Sequence, residues 1–580
     1  MPLSRLVVAV VALLFVRSVI AEESVIDDFT LSSHRGVKWS LSDVKDSKLV
    51  VVAFLGTECP LARLYGPRLS ELQERYEQQG VAFVGINANT QDSMTEITLY
   101  VAKHNITFPM LKDVGNRIAD QFDAERTPEV FLLDQDRRVR YRGRVDDQYL
   151  VGRSRNTVNR QDLAIAIDEL LAGKTVSVAR TTPQGCHIGR VRSTPPRGDV
   201  TWSNQIVRIF NRSCVECHRA GEIAPFQLSK YDDVAGWEDT ILEVIADNRM
   251  PPWFANPDHG TFSNDARLSE SDKKMIRSWV ANGMPEGNAE DLPEPPRFVE
   301  GWRIPEPDQI IEMRKTAFEI PADGIVNYQY FEVDPGWDEE KFVSAVEARP
   351  DNLSVVHHII AYIVPKDSKG RRGRNRRMLV AYAPGSTPHI LDEGTAIHVP
   401  ADSKLVFELH YTPNGTKQTD LSYIGVKFTE RSKVQKLLHG AAASNHNFQI
   451  PPGDAGHTVE ADYLLRSDQM LLEMSPHMHL RGKSFRFEAF YPDGQDEILL
   501  DVPHYDFNWQ LTYKLAEPKL MPKGTRIHCT AVFDNSKHNL VNPDPTKTVR
   551  WGNQSWEEMM IGFLTGVDAN PVDKKTASAR

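Results

Sequence analysis

The pattern of apolar and polar positions differs between the two halves of the chain. Over residues 25–178, short apolar runs alternate with amphipathic helical patterns. The run over 49–55 is apolar throughout, which is typical of a central strand covered on both faces of its sheet. A helical pattern over 67–79 and a second apolar run over 81–86 follow. From about residue 300, short strands alternate with Gly, Pro, Asn and Asp turns, so this half is expected to be all-β.

The pattern of the first half continues to about residue 178. Residues 129–134 and 138–143 predict a β-hairpin, and residues 161–171 predict a closing helix. This order starts with a parallel β-α-β unit and finishes antiparallel. We therefore expect residues 22–178 to form one α/β domain, followed by a linker over 179–199.

Two features of this domain point to thiol chemistry. Cys59 lies in the sequence Gly-Thr-Glu-Cys-Pro between the first strand and its helix, where a helix N-terminus favours the nucleophilic thiolate. Thr127-Pro128 precedes a strand, which is the position of a cis-proline facing that thiol. Both features resemble the thioredoxin and peroxiredoxin superfamily, which implies a redox-active Cys59. Ala62 replaces the second cysteine of thioredoxins, so Cys186 is a candidate resolving partner; alternatively, Cys59 is inert or pairs structurally.

The sequence Cys-Val-Glu-Cys-His is a c-type haem attachment motif. Cys214 and Cys217 would bond to the haem vinyl groups, and His218 would become an axial ligand of the iron. A half zinc site is the main alternative, but it needs two further cysteine or histidine ligands, and the chain has no second cysteine pair. A redox Cys-x-x-Cys would need a β-α-β context. The motif therefore predicts one covalent haem c.

The surroundings of the motif indicate a small all-α domain over residues 200–290. Residues 204–211 have a helical pattern, and residues 268–283 resemble the closing helix of small c-type cytochromes, with Ser269 as N-cap. Met250 is the expected second axial ligand, since a thioether raises the reduction potential and suits electron transfer. The other candidates for that ligand are His259 and Met284.

The all-β half is rich in histidine: it holds 13 of the chain's 18 histidines, and imidazole is the commonest metal ligand. His477 and His479 are two residues apart, so their side chains leave the same face of a strand. His410 lies in another apolar strand. His357 and His358 are adjacent, and neighbours in a flat strand face opposite ways. Both can reach one metal only at a bulge or a strand end.

The order of these motifs is His-His, His-Tyr, His-x-His and a late Glu-Glu-Met within the sequence Trp-Glu-Glu-Met-Met over residues 556–560. This order resembles the copper type II, ascorbate-dependent monooxygenases, the family of peptidylglycine α-hydroxylating monooxygenase and dopamine β-monooxygenase. The resemblance implies two jelly-roll-like β-domains, which we place at 300–445 and 446–572. It also makes Met559 a copper ligand, with Met560 as the alternative.

By this resemblance, two sets of ligands hold two coppers: His357, His358 and His410 the electron-storing copper, and His477, His479 and Met559 the copper that meets O2. Two imidazoles and a thioether favour Cu(I), the form that reacts with O2. The chain departs from the family at two points. Glu408 stands where a glutamine is common, and Cys529 is the single cysteine where the family has several disulfides.

The N-terminus indicates export. An apolar run over residues 6–15 and small residues up to Ala21 predict a signal peptide over 1–21; an uncleaved anchor is the alternative, although Arg17 interrupts the apolar run. No other segment approaches a transmembrane length. We therefore expect a periplasmic or extracellular protein without a membrane span after cleavage. The net charge of −11 argues against nucleic acid as a partner, because phosphate binding needs a basic surface.

Together these features predict a multi-domain, exported copper monooxygenase. It would use O2 on an unidentified small-molecule or peptide substrate, with electrons from ascorbate, another reductant or a redox partner protein, and the haem as an electron port. Two alternatives remain open. One is a copper- and haem-binding electron carrier or metal-handling protein without hydroxylase activity, and the other is a thiol or peroxide reductase centred on Cys59.

Overall fold

The computed structural model of the protein describes residues 24–151, 153–155, 157–366, 376–384 and 386–571. The predicted signal peptide lies outside these residues. Within them, no helix has both the length and the apolar character that a membrane crossing requires.

The N-terminal region is an α/β unit. Its elements are, in chain order, β1 (Thr30–Ser33), β2 (Lys38–Ser40), β3 (Leu49–Phe54), α1 (Pro60–Tyr76), β4 (Val81–Asn87), α2 (Met94–Lys103), β5 (Met110–Lys112), α3 (Arg117–Phe122), β6 (Arg126–Thr127), β7 (Glu129–Leu133), β8 (Val139–Gly143), β9 (Tyr149–Leu150), β10 (Arg153–Ser154), α4 (Asp162–Leu171) and β11 (Cys186–His187).

Seven of these strands form one sheet in the order β2-β1-β5-β4-β3-β7-β8. Strand β4 runs parallel to β3 and β5, whereas β7 is antiparallel to β3 and β8, as the order of motifs predicts. Every residue of β3 is buried, because helices cover both faces of the sheet centre. Helix α1 begins at Pro60 rather than at residue 67. A proline fits the first turn of a helix, where its missing N–H is not needed.

The segment over 179–199, expected to be a linker, contains strand β11. Cys186 and His187 in β11 pair antiparallel with β6. Ile188 is buried in the core of the α/β unit. The chain therefore packs back onto the first domain before it enters the helical segment.

The helical segment follows. Ser269 caps its last helix and accepts a hydrogen bond from the Asp272 N–H, as expected. Part of the segment packs on the β-rich half instead of on the helical core. The rings of Trp253 and Phe262 lie against Tyr513, with centroid distances of 4.8 Å and 5.7 Å. Its elements are a π-helical turn (Trp202–Ile206), α5 (Val207–Ser213), α6 (Tyr231–Val234), α7 (Glu238–Ala246) and α8 (Glu270–Ala281).

Apart from two short 3-10 turns (Ala289–Asp291 and Arg431–Lys433), the remaining elements are strands. They are β12 (Gln309–Glu312), β13 (Phe318–Ile320), β14 (Gln329–Val333), β15 (Lys341–Arg349), β16 (Val356–Val364), β17 (Arg377–Tyr382), β18 (His389–Ile390), β19 (Thr395–Val399), β20 (Lys404–Tyr411), β21 (Gln418–Asp420), β22 (Tyr423–Phe428), β23 (Lys436–Ser444), β24 (Gln449–Ile450), β25 (His457–Leu464), β26 (Gln469–His477), β27 (Gly482–Phe490), β28 (Asp496–Val502), β29 (Tyr513–Met521), β30 (Arg526–Phe533), β31 (Val549–Arg550) and β32 (Ile561–Asp568).

These strands form two sandwiches that share one sheet. A nine-stranded sheet contains β12-β22-β15-β19-β23-β32-β26-β29, with β18 beside β15. The sheets β14-β20-β16-β17 and β25-β30-β27-β28 cover its two halves, each over its own apolar core. The halves join where β19 pairs with β23. Strand β23 precedes the expected boundary at 445, yet it pairs along most of its length with β32, so it belongs to the second sandwich.

Candidate functional site

Cys59 lies at the N-terminus of α1 and is 1% exposed. Its thiol donates a hydrogen bond of 2.8 Å to the carbonyl oxygen of Thr127. The Thr127-Pro128 peptide bond is cis, as predicted. Cys186 pairs with Thr127 across β6 and β11, and its side chain packs against the apolar core that contains Cys59. Both thiols are free. The fold places Cys186 beside Thr127, the residue whose carbonyl Cys59 contacts.

The pKa values of the two thiols are shifted in opposite directions. Burial raises the pKa of Cys59, but hydrogen bonds from Cys186 and from the Ala62 backbone outweigh it and lower that pKa to about 6. The hydrogen bond to Cys59, together with burial, raises the pKa of Cys186 well above its ordinary value. Cys59 is therefore the nucleophile of the pair at neutral pH, and Cys186 is the proton donor.

Alkylation of Cys59 is expected to follow this lowered pKa. The thiolate persists down to about pH 6, so the rate constant with iodoacetamide should be half-maximal near pH 6 instead of near 9.0. Cys186→Ala removes the hydrogen bond to the thiolate and should move the midpoint upward. Peptide mass spectrometry across a pH series measures both profiles. A wild-type midpoint near pH 9 would contradict the assignment.

The predicted haem motif begins where α5 ends. The His218 N–H donates to the Cys214 carbonyl at 2.9 Å, so the motif forms one tight turn. His218 Nδ1 is hydrogen-bonded to the Phe226 carbonyl at 3.0 Å, which leaves Nε2 for an axial bond to iron. Burial lowers the pKa of His218, so its ring is neutral, as a ligand must be. Two thiols and a neutral imidazole on one turn fit a covalent haem.

The three candidates for the second axial ligand differ in their surroundings. Met250 is half-buried beyond α7, and its N–H donates to Val244 of that helix. Met284 is fully buried in the helical core. His259 lies in the segment that packs on the second sandwich, next to the hydrogen bond between Asn256 and β28. Met250 remains the prediction.

His357, His358 and His410 form a cluster in the first sandwich. Their potential ligand atoms all lie within 4.8 Å of one another. The pairing of β16 with β20 is irregular between Val356 and His358, so a bulge turns both adjacent histidines toward one point, as the sequence requires. The Nδ1 atoms of His357 and His358 are 3.2 Å apart. Two nitrogens that each bond one ion at about 2 Å lie about 3 Å apart.

The polar atoms of this cluster fit a metal ion. Within the described chain, the buried atom His410 Nδ1 has no hydrogen-bond partner, which is costly unless a ligand satisfies it. Burial lowers the pKa of His357 to about 4 and those of His358 and His410 well below the ordinary value. All three rings are therefore neutral, and neutral imidazoles suit copper, zinc or iron.

His477 and His479 belong to the second sandwich, at the end of β26 and just beyond it. Their ring centroids are 5.3 Å apart. His477 Nδ1 is hydrogen-bonded to Gln510 Oε1 at 2.8 Å, and His479 Nδ1 to the Glu557 carbonyl at 3.2 Å. In each ring the Nδ1 bond leaves Nε2 available as a ligand. Burial lowers the pKa of His477 to about 4 and that of His479 to about 3.

Glu558 ties the segment of His479 to the segment of Met559. Its buried carboxylate accepts the N–H groups of His479 at 2.8 Å and of Arg481 at 2.6 Å, and Met559 is the next residue along the chain. Met559 is half-buried beside this junction, whereas Met560 is fully buried in the apolar core of the sandwich. These surroundings favour Met559 over Met560 as the thioether ligand.

One aromatic layer separates the two histidine sets. The Tyr328 ring stacks on His410 at 4.7 Å and lies 6.3 Å from His479. The Phe507 ring lies 5.9 Å from His410 and 5.8 Å from His479. Gln510, bonded to His477, also reaches His358 Nδ1 at 3.4 Å. Sequence reasoning missed Tyr328, Phe507 and Gln510, because none of them belongs to a motif.

Gln510→Ala is expected to weaken the copper binding predicted for His477 and His479 by roughly 10- to 100-fold, the usual effect of removing a residue that orients a metal-bound histidine. Competition with a chelator of known copper affinity measures the change. Asn508→Ala alters the same loop at a side chain that is hydrogen-bonded to Asp506, and it should keep the wild-type affinity. Equal affinities for Gln510→Ala and wild type would contradict the orienting role.

Fold and thiol geometry define the class of the N-terminal region: it is a thioredoxin-like α/β domain. Residues 23–142 match the AhpC/TSA family. The thiol-disulfide oxidoreductase ResA of Bacillus cereus is 30% identical over 114 residues, which are 19% of this chain and 63% of ResA. The chain thus spans just under two thirds of the length of that relative.

Two further proteins show the extent of this similarity. ResA of Geobacillus kaustophilus is 26% identical over 124 residues, 21% of this chain and 70% of ResA. The crystal structure of the hypothetical protein SMc02350 from Sinorhizobium meliloti 1021 has 31% identity and a TM-score of 0.28, and it covers 30% of this chain and 95% of its own.

Proposed function

We propose that the protein is an exported oxidoreductase that inserts one oxygen atom from O2 into a C–H bond of a small-molecule or peptide substrate. The observation that carries this proposal is the three-histidine cluster within 4.8 Å, faced across one aromatic layer by a second histidine pair. The order of ligands along the chain is that of the copper monooxygenases. The reductant is ascorbate, another small reductant or a redox partner protein.

The chain's own residues would hold two coppers. The first set, His357, His358 and His410, presents three neutral imidazoles at one point. In the second set, the Nδ1 bonds of His477 and His479 fix both rings, and Glu558 holds the Met559 segment beside them. Copper in these sites supplies the one-electron and O2 chemistry.

A covalent haem c on Cys214, Cys217 and His218 would serve as the electron port. Burial of Cys214 and Cys217 raises both pKa values, to about 12 and about 11, so both side chains are thiols at neutral pH. Covalent attachment of this kind takes place outside the cytoplasm, which agrees with the predicted signal peptide and a periplasmic or extracellular location.

Labelled O2 tests the proposal. The copper- and haem-loaded protein is incubated with ascorbate, 18O2 and panels of peptides and small amines, and products are analysed by mass spectrometry. One labelled oxygen atom per product molecule is the expected result. If both metals bind but no panel member gains oxygen from O2, the protein is an electron carrier or a metal-handling protein.

The Cys59 thiol supports a second candidate function, a thiol or peroxide reductase. The contact between Cys59 and Cys186 and the match to the AhpC/TSA family favour it. Cys59→Ser should then abolish peroxide consumption or disulfide reduction, while His410→Ala leaves both unchanged. Equal peroxide and disulfide turnover by Cys59→Ser and wild type would exclude this candidate.

A further inference from the structure

The thiol pair converges on one peptide group of the first domain. The Cys59 thiol donates to the Thr127 carbonyl at 2.8 Å, and Cys186 faces Thr127 across the β6–β11 pairing. Cys186 packs against the apolar core that contains Cys59. The two cysteines therefore lie at the same peptide group.

Cys186 also borders the helical segment. It packs against the core of the α/β domain that contains Cys59 and, at the same time, against the helical core. Cys214, the first cysteine of the haem motif, packs against that same helical core. Cys186 therefore contacts both the α/β domain and the helical segment.

A cluster of charged groups fixes this junction. Glu243 on α7 accepts hydrogen bonds from Arg126 at 2.6 Å and from His187 at 2.7 Å, and it pairs with Arg249. Arg126 and His187 face each other in β6 and β11, the strands that carry the thiol pair's contacts. Arg249 directly precedes Met250. The strand of Cys186 is thus anchored to the helix that leads to the expected axial ligand.

We propose that Cys59 and Cys186 form a dithiol–disulfide couple that supplies electrons to a haem held at Cys214 and Cys217. The proposal rests on the oxidoreductase function proposed above and names its electron source within the chain. The geometry that carries it is the packing of Cys186 against both cores and the anchoring of β11 to α7.

The electrons and atoms balance. Oxidation of the pair breaks two S–H bonds, forms one S–S bond and releases two electrons and two protons. The pair passes its electrons one at a time to the c-type haem as one-electron acceptor. Insertion of one oxygen atom of O2 into a C–H bond consumes two electrons and two protons and releases one water. Oxidation of one thiol pair therefore supplies the two electrons that one turnover of oxygen insertion consumes.

An external dithiol restores the pair by exchange. Cys186 is half-buried, whereas Cys59 is 1% exposed, so the external thiolate reaches the disulfide at Cys186. Cys59 then leaves as the thiolate, which its lowered pKa of about 6 favours.

The test uses the full-length, haem-loaded, copper-free protein, oxidised and made anaerobic. A water-soluble phosphine opens the disulfide, and absorbance of the ferrous haem is followed in time. In the wild type, the haem should become reduced as the disulfide opens. The second electron of each pair passes to the haem of another chain, so one oxidised thiol pair accounts for two reduced haems. In Cys59→Ser and Cys186→Ser, this reduction should fall to the rate of the phosphine acting on the haem directly. Cys529→Ala, which removes a buried thiol of the second sandwich, should behave as the wild type.

A second measurement needs no variant. The reduced, haem-loaded, copper-free wild-type protein is oxidised with ferricyanide, and peptides are mapped by mass spectrometry. One disulfide-linked peptide containing Cys59 and Cys186 should form for every two electrons removed beyond the haem. Haem reduction at equal rates in all four proteins, or no linked peptide, would overturn the proposal.

The two proposals fail separately. The phosphine experiment contains no copper, O2 or substrate. The 18O2 experiment uses ascorbate as reductant and does not depend on the thiol pair. Labelled product without thiol-dependent haem reduction overturns the electron source alone, and the converse result overturns oxygenation alone.

Discussion

His410→Ala is expected to lower the copper content of the protein from two ions per chain to one. His410 and the adjacent pair His357 and His358 present ligand atoms within 4.8 Å of one another. Without His410, two imidazoles remain on a bulged strand, and a copper held by them loses one third of its imidazole ligands. The second histidine set lies in the other sandwich and keeps its copper. Copper per chain after dialysis, measured by plasma mass spectrometry, checks the expectation.

His398→Ala is the matched control. His398 is also a buried histidine of the first sandwich, but its Nε2 is hydrogen-bonded to Glu340 at 2.9 Å, and it is not part of the cluster. This variant should keep two coppers. A His410→Ala protein that folds, as judged by circular dichroism, and still holds two coppers would show that the cluster is not a copper site.

The double variant Cys214→Ser and Cys217→Ser is expected to lose covalent haem completely. Serine cannot form the thioether bonds, and the tight turn that joins these residues to His218 offers no other thiol. Haem staining after denaturing electrophoresis measures the loss. Cys529→Ala should stain like the wild type, since Cys529 lies in the core of the second sandwich. Undiminished staining of the double variant would contradict haem attachment at this motif.

The α/β domain was predictable because its signals are local. The sequence of strand β3 is an unbroken apolar run because both faces of the strand are buried. Cys59 directly precedes α1, and Thr127-Pro128 directly precedes β7. The fold brings these two positions into contact. The start of α1 was misjudged by the sequence pattern, because Pro60 and Pro67 both look like helix starts, and the helix contains the second one.

Features that depend on distant pairing were not predictable in detail. A two-residue strand such as β11 has no periodicity, so its pairing with β6 does not show in the sequence. Strand β23 was assigned to the first sandwich because nothing local marks its partner β32. Within the site, the histidines were found by motif. Tyr328 and Gln510 were missed, because single residues from distant loops carry no pattern.

The decisive measurement is the number of metal ions and haem groups per chain. The protein is produced with its signal peptide in a host that exports and attaches haem c, and it is supplied with copper. Copper and zinc are then measured by plasma mass spectrometry and haem by its alkaline pyridine spectrum. Two coppers and one covalent haem per chain are the predicted result. Zinc in place of copper, or no covalent haem, would contradict the assignment of these sites.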